Sequence, residues 1–179
     1  MTMLDFSLTI SAVSSQSLSF SFDKSKLTLM IDLTIALIQI EDHACAKALI
    51  VEGLTERWGC YEERYNPDLA DFPDFYLRSS VFIAKHEGRV VGVGILQPCD
   101  STTAQIVRMS VSSDFRRAGV GSNILSSLLN AARRQGVKRI VLETSATWQS
   151  AIQFYTKQGF RPTHRHDGDQ YFEFSLIGT

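Results

Sequence analysis

Apolar residues recur along this chain at two different spacings, and the switches between them mark out its elements. From Leu33 to Ile40 enough apolar positions alternate with polar ones to predict a first strand. Asp42 then stands as a candidate N-cap for a helix running to about Arg57, in which Ala46, Leu49, Ile50 and Leu54 share one face. Residues Trp58 to Ser80 lose that periodicity and mix aromatics (Trp58, Tyr61, Tyr65, Phe72, Phe75, Tyr76) with carboxylates (Glu62, Glu63, Asp68, Asp71, Asp74). Regularity returns with Val81–Lys85 and Val90–Leu96, runs rich in β-branched residues joined by His86-Glu87-Gly88, which predict a hairpin. Pro98 to Thr103 breaks the pattern before a third arm, Ala104 to Val111. There follow a helix (about Val120 to Gln135), a strand (Arg139 to Thr144), a second helix (about Gln149 to Gln158) and a last strand (Tyr171 to Leu176). Gly136 and Gly159 stand where glycines commonly end helices. This order predicts an α+β domain built on a mixed, mostly antiparallel sheet.

The junction between the third arm and its helix carries the first chemistry. Arg116-Arg117-Ala118-Gly119-Val120-Gly121 joins the strand-like run Ile106, Val107, Met109, Val111 to the helix-like run Ile124 to Ala132. A small glycine-bearing turn at such a junction leaves backbone N–H groups unpaired, with the positive end of the helix dipole behind them, and that arrangement suits phosphate. The spacing Arg-x-x-Gly-x-Gly is neither a Walker loop, since no Lys-Ser/Thr follows, nor the dinucleotide pattern Gly-x-Gly-x-x-Gly. Taken alone, the same six residues also describe an ordinary helix start with solvated arginines.

Composition narrows the setting. The length of 179 residues fits one domain with a real core. A net charge of −1 and a pI of about 6.4 give no basic field that would argue for nucleic acid. Cys45, Cys60 and Cys99 are odd in number and unrelated in spacing, which makes neither a disulfide framework nor a metal site, so a cytoplasmic setting is expected. The longest apolar stretch, Leu27 to Ile40, is interrupted by Asp32 and falls short of the roughly 20 residues of a membrane span. Residues Met1 to Ser25 are serine-rich with no basic residue before Lys24, unlike a secretory signal or a transit peptide. Residues 1–30 are therefore expected to be an extension, either disordered or upstream of a true start at Met30, and residues 31–179 the domain itself.

Two linked motifs resemble the GNAT superfamily of acyl-CoA-dependent N-acetyltransferases. The Arg116–Gly121 loop, with Arg108-Met109-Ser110-Val111 before it and Ser112 to Phe115 as its lead-in turn, resembles that family's pyrophosphate loop, Arg/Gln-x-x-Gly-x-Gly/Ala. Downstream, Ile140-Val141-Leu142-Glu143-Thr144 resembles the next strand, and Ala151 to Phe160 resembles the family's Ala-x-x-x-Tyr-x-x-x-Gly-Phe helix and its exit. The resemblance is loose over residues 31 to 178 and close over 104 to 161. It implies six or seven strands with about four helices, and a V-shaped cleft where two parallel strands splay at a bulge to receive acetyl-CoA as cosubstrate, without a metal. It also implies backbone contacts to pantetheine from Met109, Ser110 and Val111, and phosphate contacts from Arg116, Arg117, Ala118, Gly119, Val120, Gly121 and Ser122. Trp148 stands where many relatives carry an asparagine that reaches the pantetheine arm; Ser150 nearby could supply that polar contact instead.

Acetyl transfer to an amine needs a neutral nucleophile, stabilisation of an oxyanion and a proton for the departing thiolate. The resemblance makes Tyr155 the general acid, a phenol that is protonated at neutral pH; a tyrosine packed in the core is the plainer alternative, and Phe160 is read as core. In the histone-acetylating branch a glutamate acts as base where this chain has Gln105, and an amide cannot take a proton. Glu143 is the nearest carboxylate in the motif region, as a base directly or through water, or as a solvated or arginine-paired strand end. Asp100, His164 and His166 have no spacing that ties them to the cleft. Trp58 to Ser80 and the final hairpin around His164 to Tyr171 are expected to shape the acceptor site, where acidic residues among aromatics suit a cationic amine or simply face water. The resulting expectation is direct transfer from acetyl-CoA to a primary amine of a small molecule in a ternary complex. Rival readings are a protein N-terminal or lysine acetyltransferase and a non-catalytic acyl-CoA-binding module. A homodimer through sheet edges or helices is also an open expectation.

Overall fold

The computed structural model describes residues 32–177. The expectations for residues 1–30, the start at Met30 included, lie outside the described residues. Seven strands form one sheet in the order β1-β2-β3-β4-β5-β7-β6. They are β1 (Leu33–Leu37), β2 (Ser80–His86), β3 (Arg89–Pro98), β4 (Thr103–Val111), β5 (Arg139–Ser145), β6 (Arg161–His166) and β7 (Asp169–Ser175). All neighbours pair antiparallel except β4 with β5. The helices are α1 (His43–Trp58), α2 (Pro67–Ala70), α3 (Phe72–Phe75), α4 (Val120–Arg134) and α5 (Gln149–Lys157).

Strand alternation divides the core between the two faces of the sheet. Val81 and Ile83 of β2 pack with Ala46, Leu49 and Ile50 of α1 and with Leu69 and Phe72. Phe82 and Ala84, one residue out of phase, pack with Ile124, Leu125 and Leu128 of α4, in a cluster that also holds Phe160 and Phe172. Among the described residues no helix is long and apolar enough to cross a membrane.

Three local expectations need correction. The first strand stops at Leu37, because Ile40–Asp42 forms a 3-10 turn leading into α1. Asp42 does precede α1 but makes no side-chain cap; its backbone is already helical and its carboxylate pairs with Lys85 Nζ at 2.7 Å. The segment read only as one side of a final hairpin contains a full strand, β6, in which every residue is exposed, so no buried face imposes a hydrophobic alternation on it.

The feature that positions the site is the parting of β4 from β5. The two pair only at Thr103↔Arg139, Ala104↔Ile140 and Gln105↔Val141, and then separate. On its other side β4 pairs Val107 with Ile95 and Ser110 with Val93, which sets Arg108 and Met109 opposite Gly94 alone. This is a two-against-one bulge, with Arg108 in the left-handed region at φ 53°. Gly94 permits it: a Cβ there would lie 2.4 Å from Met109 Sδ and 2.7 Å from Ile124 Cγ2. Bulged strands bend and twist more strongly, and here the bend opens a V toward the start of α4.

Candidate active site

The V encloses a cavity of about 1040 Å³. One arm is β4 from Ile106 to Val111; the other is the end of β5 with the start of α5, contributing Glu143, Trp148, Ser150 and Ala151. Between them lie the 115–122 loop, the face of α5 that bears Phe154 and Tyr155, and Gln158 at the C-terminal end of that helix. The last turns of α1 form a further wall.

The loop is built on two glycines with different duties. Gly119 is the N-cap of α4 at φ 84°, a left-handed conformation that side chains rarely adopt. The first intrahelical bond is donated by Asn123 to Gly119 at 3.0 Å, so the N–H groups of Val120, Gly121 and Ser122 have no intrahelical acceptor. Gly121 is not held in a left-handed conformation, and a Cβ there would meet only ordinary contacts, Phe154 at 3.6 Å and Val111 at 3.8 Å. Neither packing nor backbone geometry within the chain demands glycine at 121. What its bareness provides is open space in the cavity wall beside unpaired amides, which fits a bound phosphate chain.

The loop arginines divide. Arg116 is engaged with Glu56 of α1 by a forked pair, Nη1 to Oε1 at 2.6 Å and Nη2 to Oε2, while Nε donates to the Val111 carbonyl at 3.1 Å. Those bonds from Glu56 hold Arg116 firmly protonated and, in return, lower the Glu56 pKa. Arg117 is exposed, at φ 64°, and enters no ion pair among the described residues. Ala118 is exposed and forms no part of the cavity wall, unlike the rest of the loop from Arg116 to Ser122. Ser122 Oγ accepts from Gln158 Nε2 at 3.0 Å, which ties the start of α4 to the end of α5.

Tyr155 is 8% exposed and packs edge-on against Phe154 and Phe160. Its hydroxyl finds no hydrogen-bond partner among the described residues, and Tyr155 lines the cavity. Burial pushes its pKa well above that of a free phenol, against a smaller pull from Arg57, so it stays protonated at any physiological pH. Glu143 is exposed at the cavity rim, and its pKa is raised, first by desolvation and then by Asp169. Gln105 pairs with Gln97 and Val141 below the point of splaying and does not line the cavity.

The bulge residue Arg108 is clamped from outside the sheet. Its Nε and Nη2 donate to the two oxygens of Asp68 at 2.8 and 2.5 Å, Nη1 donates to Asn66 at 3.0 Å, and Tyr76 donates to Asp68. Burial works to raise the Asp68 pKa, but the bonds from Arg108 and Tyr76 outweigh it and hold the carboxyl below its usual range. Asp68 is thus committed to the scaffold rather than to a substrate amine. Of the segment expected to shape the acceptor site, only Trp58 lines the cavity, and the final hairpin supplies none of its wall. His164 stacks on Tyr171 at 4.4 Å, and Asp100 holds its own turn through the Thr102 and Thr103 amides.

Residues 49–160, more than half of the chain, match the family model described as Acetyltransferase (GNAT) family. The chain belongs to this family. Probable N-acetyltransferase family 8 member 5 of Mus musculus is 37% identical over 117 residues, which is 62% of this chain and 49% of that protein. The chain spans about half the length of the curated relatives it matches. Among solved structures, a GNAT-family acetyltransferase from Staphylococcus aureus aligns with a TM-score of 0.73 at 20% identity, covering 80% of this chain and 99% of that one. The PaiA N-acetyltransferase of Thermoplasma acidophilum, solved in complex with coenzyme A, aligns with a TM-score of 0.69 at 16% identity over 80% of this chain and 99% of that one. At such identities the likeness is one of fold.

Within this GNAT domain, sequence reasoning missed the contribution of α1. Gly53, Leu54, Glu56 and Arg57 all line the cavity, and α1 lies so close to β4 that a Cβ at Gly53 would stand 3.1 Å from Ser110 Oγ. A glycine inside a helix was the available signal, since it costs about 1 kcal/mol against alanine and often marks a close approach. Trp148, 39% exposed, neither seals the core nor caps α5 with a side-chain bond; the guanidinium of Arg57 lies 3.6 Å from its ring centroid.

Proposed function

We propose that this GNAT domain transfers an acetyl group from acetyl-CoA to the primary amine of a small molecule, by direct attack within a ternary complex. The observation that carries the reading is the junction of one cavity with both requirements: unpaired α4 amides beside the unoccluded Gly121, and Tyr155 lining the same space. Acetyl-CoA, when bound, supplies an acyl thioester with a thiolate leaving group. The amides of Val120, Gly121 and Ser122, with Gly119 setting their direction and Arg117 free to approach, would hold its phosphates. The separated edge of β4 at Met109, Ser110 and Val111 offers backbone groups to its amide arm. Arg116 acts indirectly, locking the loop to α1 through Glu56, and Trp148 and Ser150 bound the far wall.

Tyr155 keeps its proton because burial disfavours the phenolate, which suits a group that donates to a departing thiolate. Glu143, with a pKa raised by burial, is a stronger proton acceptor than an ordinary carboxylate and stands at the rim where an amine must lose its charge. No base is available from Gln105, so the proton path runs through Glu143 or solvent.

Release of free thiol from acetyl-CoA in the presence of two panels, small primary amines and peptides with free N-termini or lysines, tests the proposal. Turnover on small amines supports it. Turnover on peptides alone assigns the domain to protein acetylation, and acetyl-CoA binding with no turnover on either panel makes it a binding module.

A further inference from the structure

Two guanidiniums in the cleft wall have no carboxylate partner among the described residues, Arg117 at the loop proposed for phosphate and Arg57 away from it. Arg108 is matched to Asp68 and Arg116 to Glu56, whereas Arg57, in the last turn of α1, enters no ion pair among the described residues. It is half-buried, and the faces it touches are aromatic: its Cζ lies 3.6 Å from the Trp148 ring centroid and 4.9 Å from that of Trp58. Its one hydrogen bond to the described residues is long, Nη2 to Thr144 Oγ1 at 3.5 Å. Desolvation lowers its pKa, with Asp169 the largest opposing influence although the two form no ion pair.

Stacking on indole satisfies the plane of a guanidinium but not its five N–H donors, of which only one, on Nη2, has a partner among the described residues. A cation left in that state favours an anion, and the planar fork matches a carboxylate best. The α4 amides and Arg117 already provide for phosphate. Arg57 instead reaches the opposite arm of the V, at Thr144 and Trp148, and lines the same cavity as Tyr155. An anion held there would lie near the phenol expected to protonate the leaving group.

Resting on the acetyl-transfer reading, we infer that Arg57 binds a carboxylate of the acceptor, so that the acceptor is an amine carrying a carboxylate close to its nitrogen, as an α-amino acid does. Trp58 and Trp148 hold the guanidinium flat and ready, and Glu143 remains for the amine. Of the segment from Trp58 to Ser80, the carboxylates Glu62, Glu63, Asp68, Asp71 and Asp74 do not line the cavity.

The test uses matched acceptors that differ only in the carboxylate: L-phenylalanine with 2-phenylethylamine, L-leucine with isoamylamine, and L-lysine with cadaverine. The wild-type protein is expected to favour the carboxylated member of a pair in kcat/KM by roughly 10- to 100-fold, the range for a hydrogen bond to a charged group. Arg57→Gln is expected to bring that ratio to about one, and Arg57→Lys to an intermediate value. The chain has two tryptophans, both against Arg57, so intrinsic fluorescence gives a readout independent of turnover. Titration with N-acetyl-L-phenylalanine should quench the wild type and leave Arg57→Gln unchanged. Equal kcat/KM within every pair, an Arg57→Gln defect of the same size on both members, or no quench in the wild type overturns the inference. Calorimetry with acetyl-CoA separates the two failures: binding and turnover without carboxylate preference sink this inference alone, while no binding sinks the acetyl-transfer reading beneath it.

Discussion

Replacing Gly121 by glutamate should move stability and ligand affinity in opposite directions. The site has ordinary room for a Cβ and a backbone that any residue adopts, with Phe154 and Val111 the nearest neighbours. Losing a glycine from a helical position is worth up to about 1 kcal/mol. A carboxylate in the first turn of α4 adds roughly 0.3–1 kcal/mol through the helix dipole. Together these give about 1 kcal/mol of added stability, or a rise of about 3 °C in Tm for a chain of this size. Binding should suffer, because the new carboxylate stands among the amides proposed to face phosphate. Two like charges about 4 Å apart at an effective dielectric near 20 repel by about 4 kcal/mol, and half of that already weakens binding about 30-fold. Gly119→Ala is the internal control: at φ 84° it forces a side chain into the left-handed region, at a cost of about 1–2 kcal/mol. The assays are thermal denaturation of the free proteins and calorimetric titration with acetyl-CoA. Unchanged affinity in Gly121→Glu would remove the α4 N-terminus from the binding site, and a loss of stability there would refute the reading that the chain itself has no need of glycine at 121.

Three further outcomes follow from other parts of the structure. Tyr155→Phe should lower kcat by about 100-fold, within the usual range for a lost acid, while thermal denaturation shows little change because the hydroxyl makes no bond within the described residues. Arg108→Ala should cost about 3–5 kcal/mol by denaturant titration, since it strands Asp68, a buried carboxylate. In the wild type the depressed Asp68 pKa gives stability that is present above its unfolded value of about 3.8 and lost as pH falls through the lower folded value, and that acid limb should vanish in the variant. Glu143 has the opposite sign: its raised pKa makes stability fall as pH rises from about 4.5 through the folded value, so Glu143→Gln should flatten that slope in denaturation curves taken across pH, and should flatten the acid limb of kcat/KM as well.

Much of the scaffold was legible because its signals are local. The β2–β3 hairpin shows two β-branched arms around Glu87-Gly88, which take φ values of 49° and 78° as a tight primed turn requires. Helix α4 repeats its apolar residues at helical spacing, and the loop before it has its own glycine code. What escaped depends on partners far away in the chain. Nothing in Arg108 announces a left-handed bulge, because that conformation is held by Asp68 and Asn66 some forty residues earlier. Asp42 reads as a cap until Lys85 claims its carboxylate. Strand β6 carries no burial pattern because it buries nothing. The place of Arg57 in the cleft depends on α1 crossing the mouth of the V, with Glu56 bonded to the β4 side and Arg57 to the β5 side, a crossing that no spacing within α1 encodes.

The central claim is that the parting of β4 from β5 makes an acetyl-CoA site, and crystallography of the protein grown with acetyl-CoA tests it most directly. The expected result is density for the phosphates against the amides of Val120, Gly121 and Ser122, with the amide arm running along Met109 to Val111 and the thioester near the Tyr155 hydroxyl. A ligand bound outside the V, or phosphates resting away from the start of α4, would contradict it.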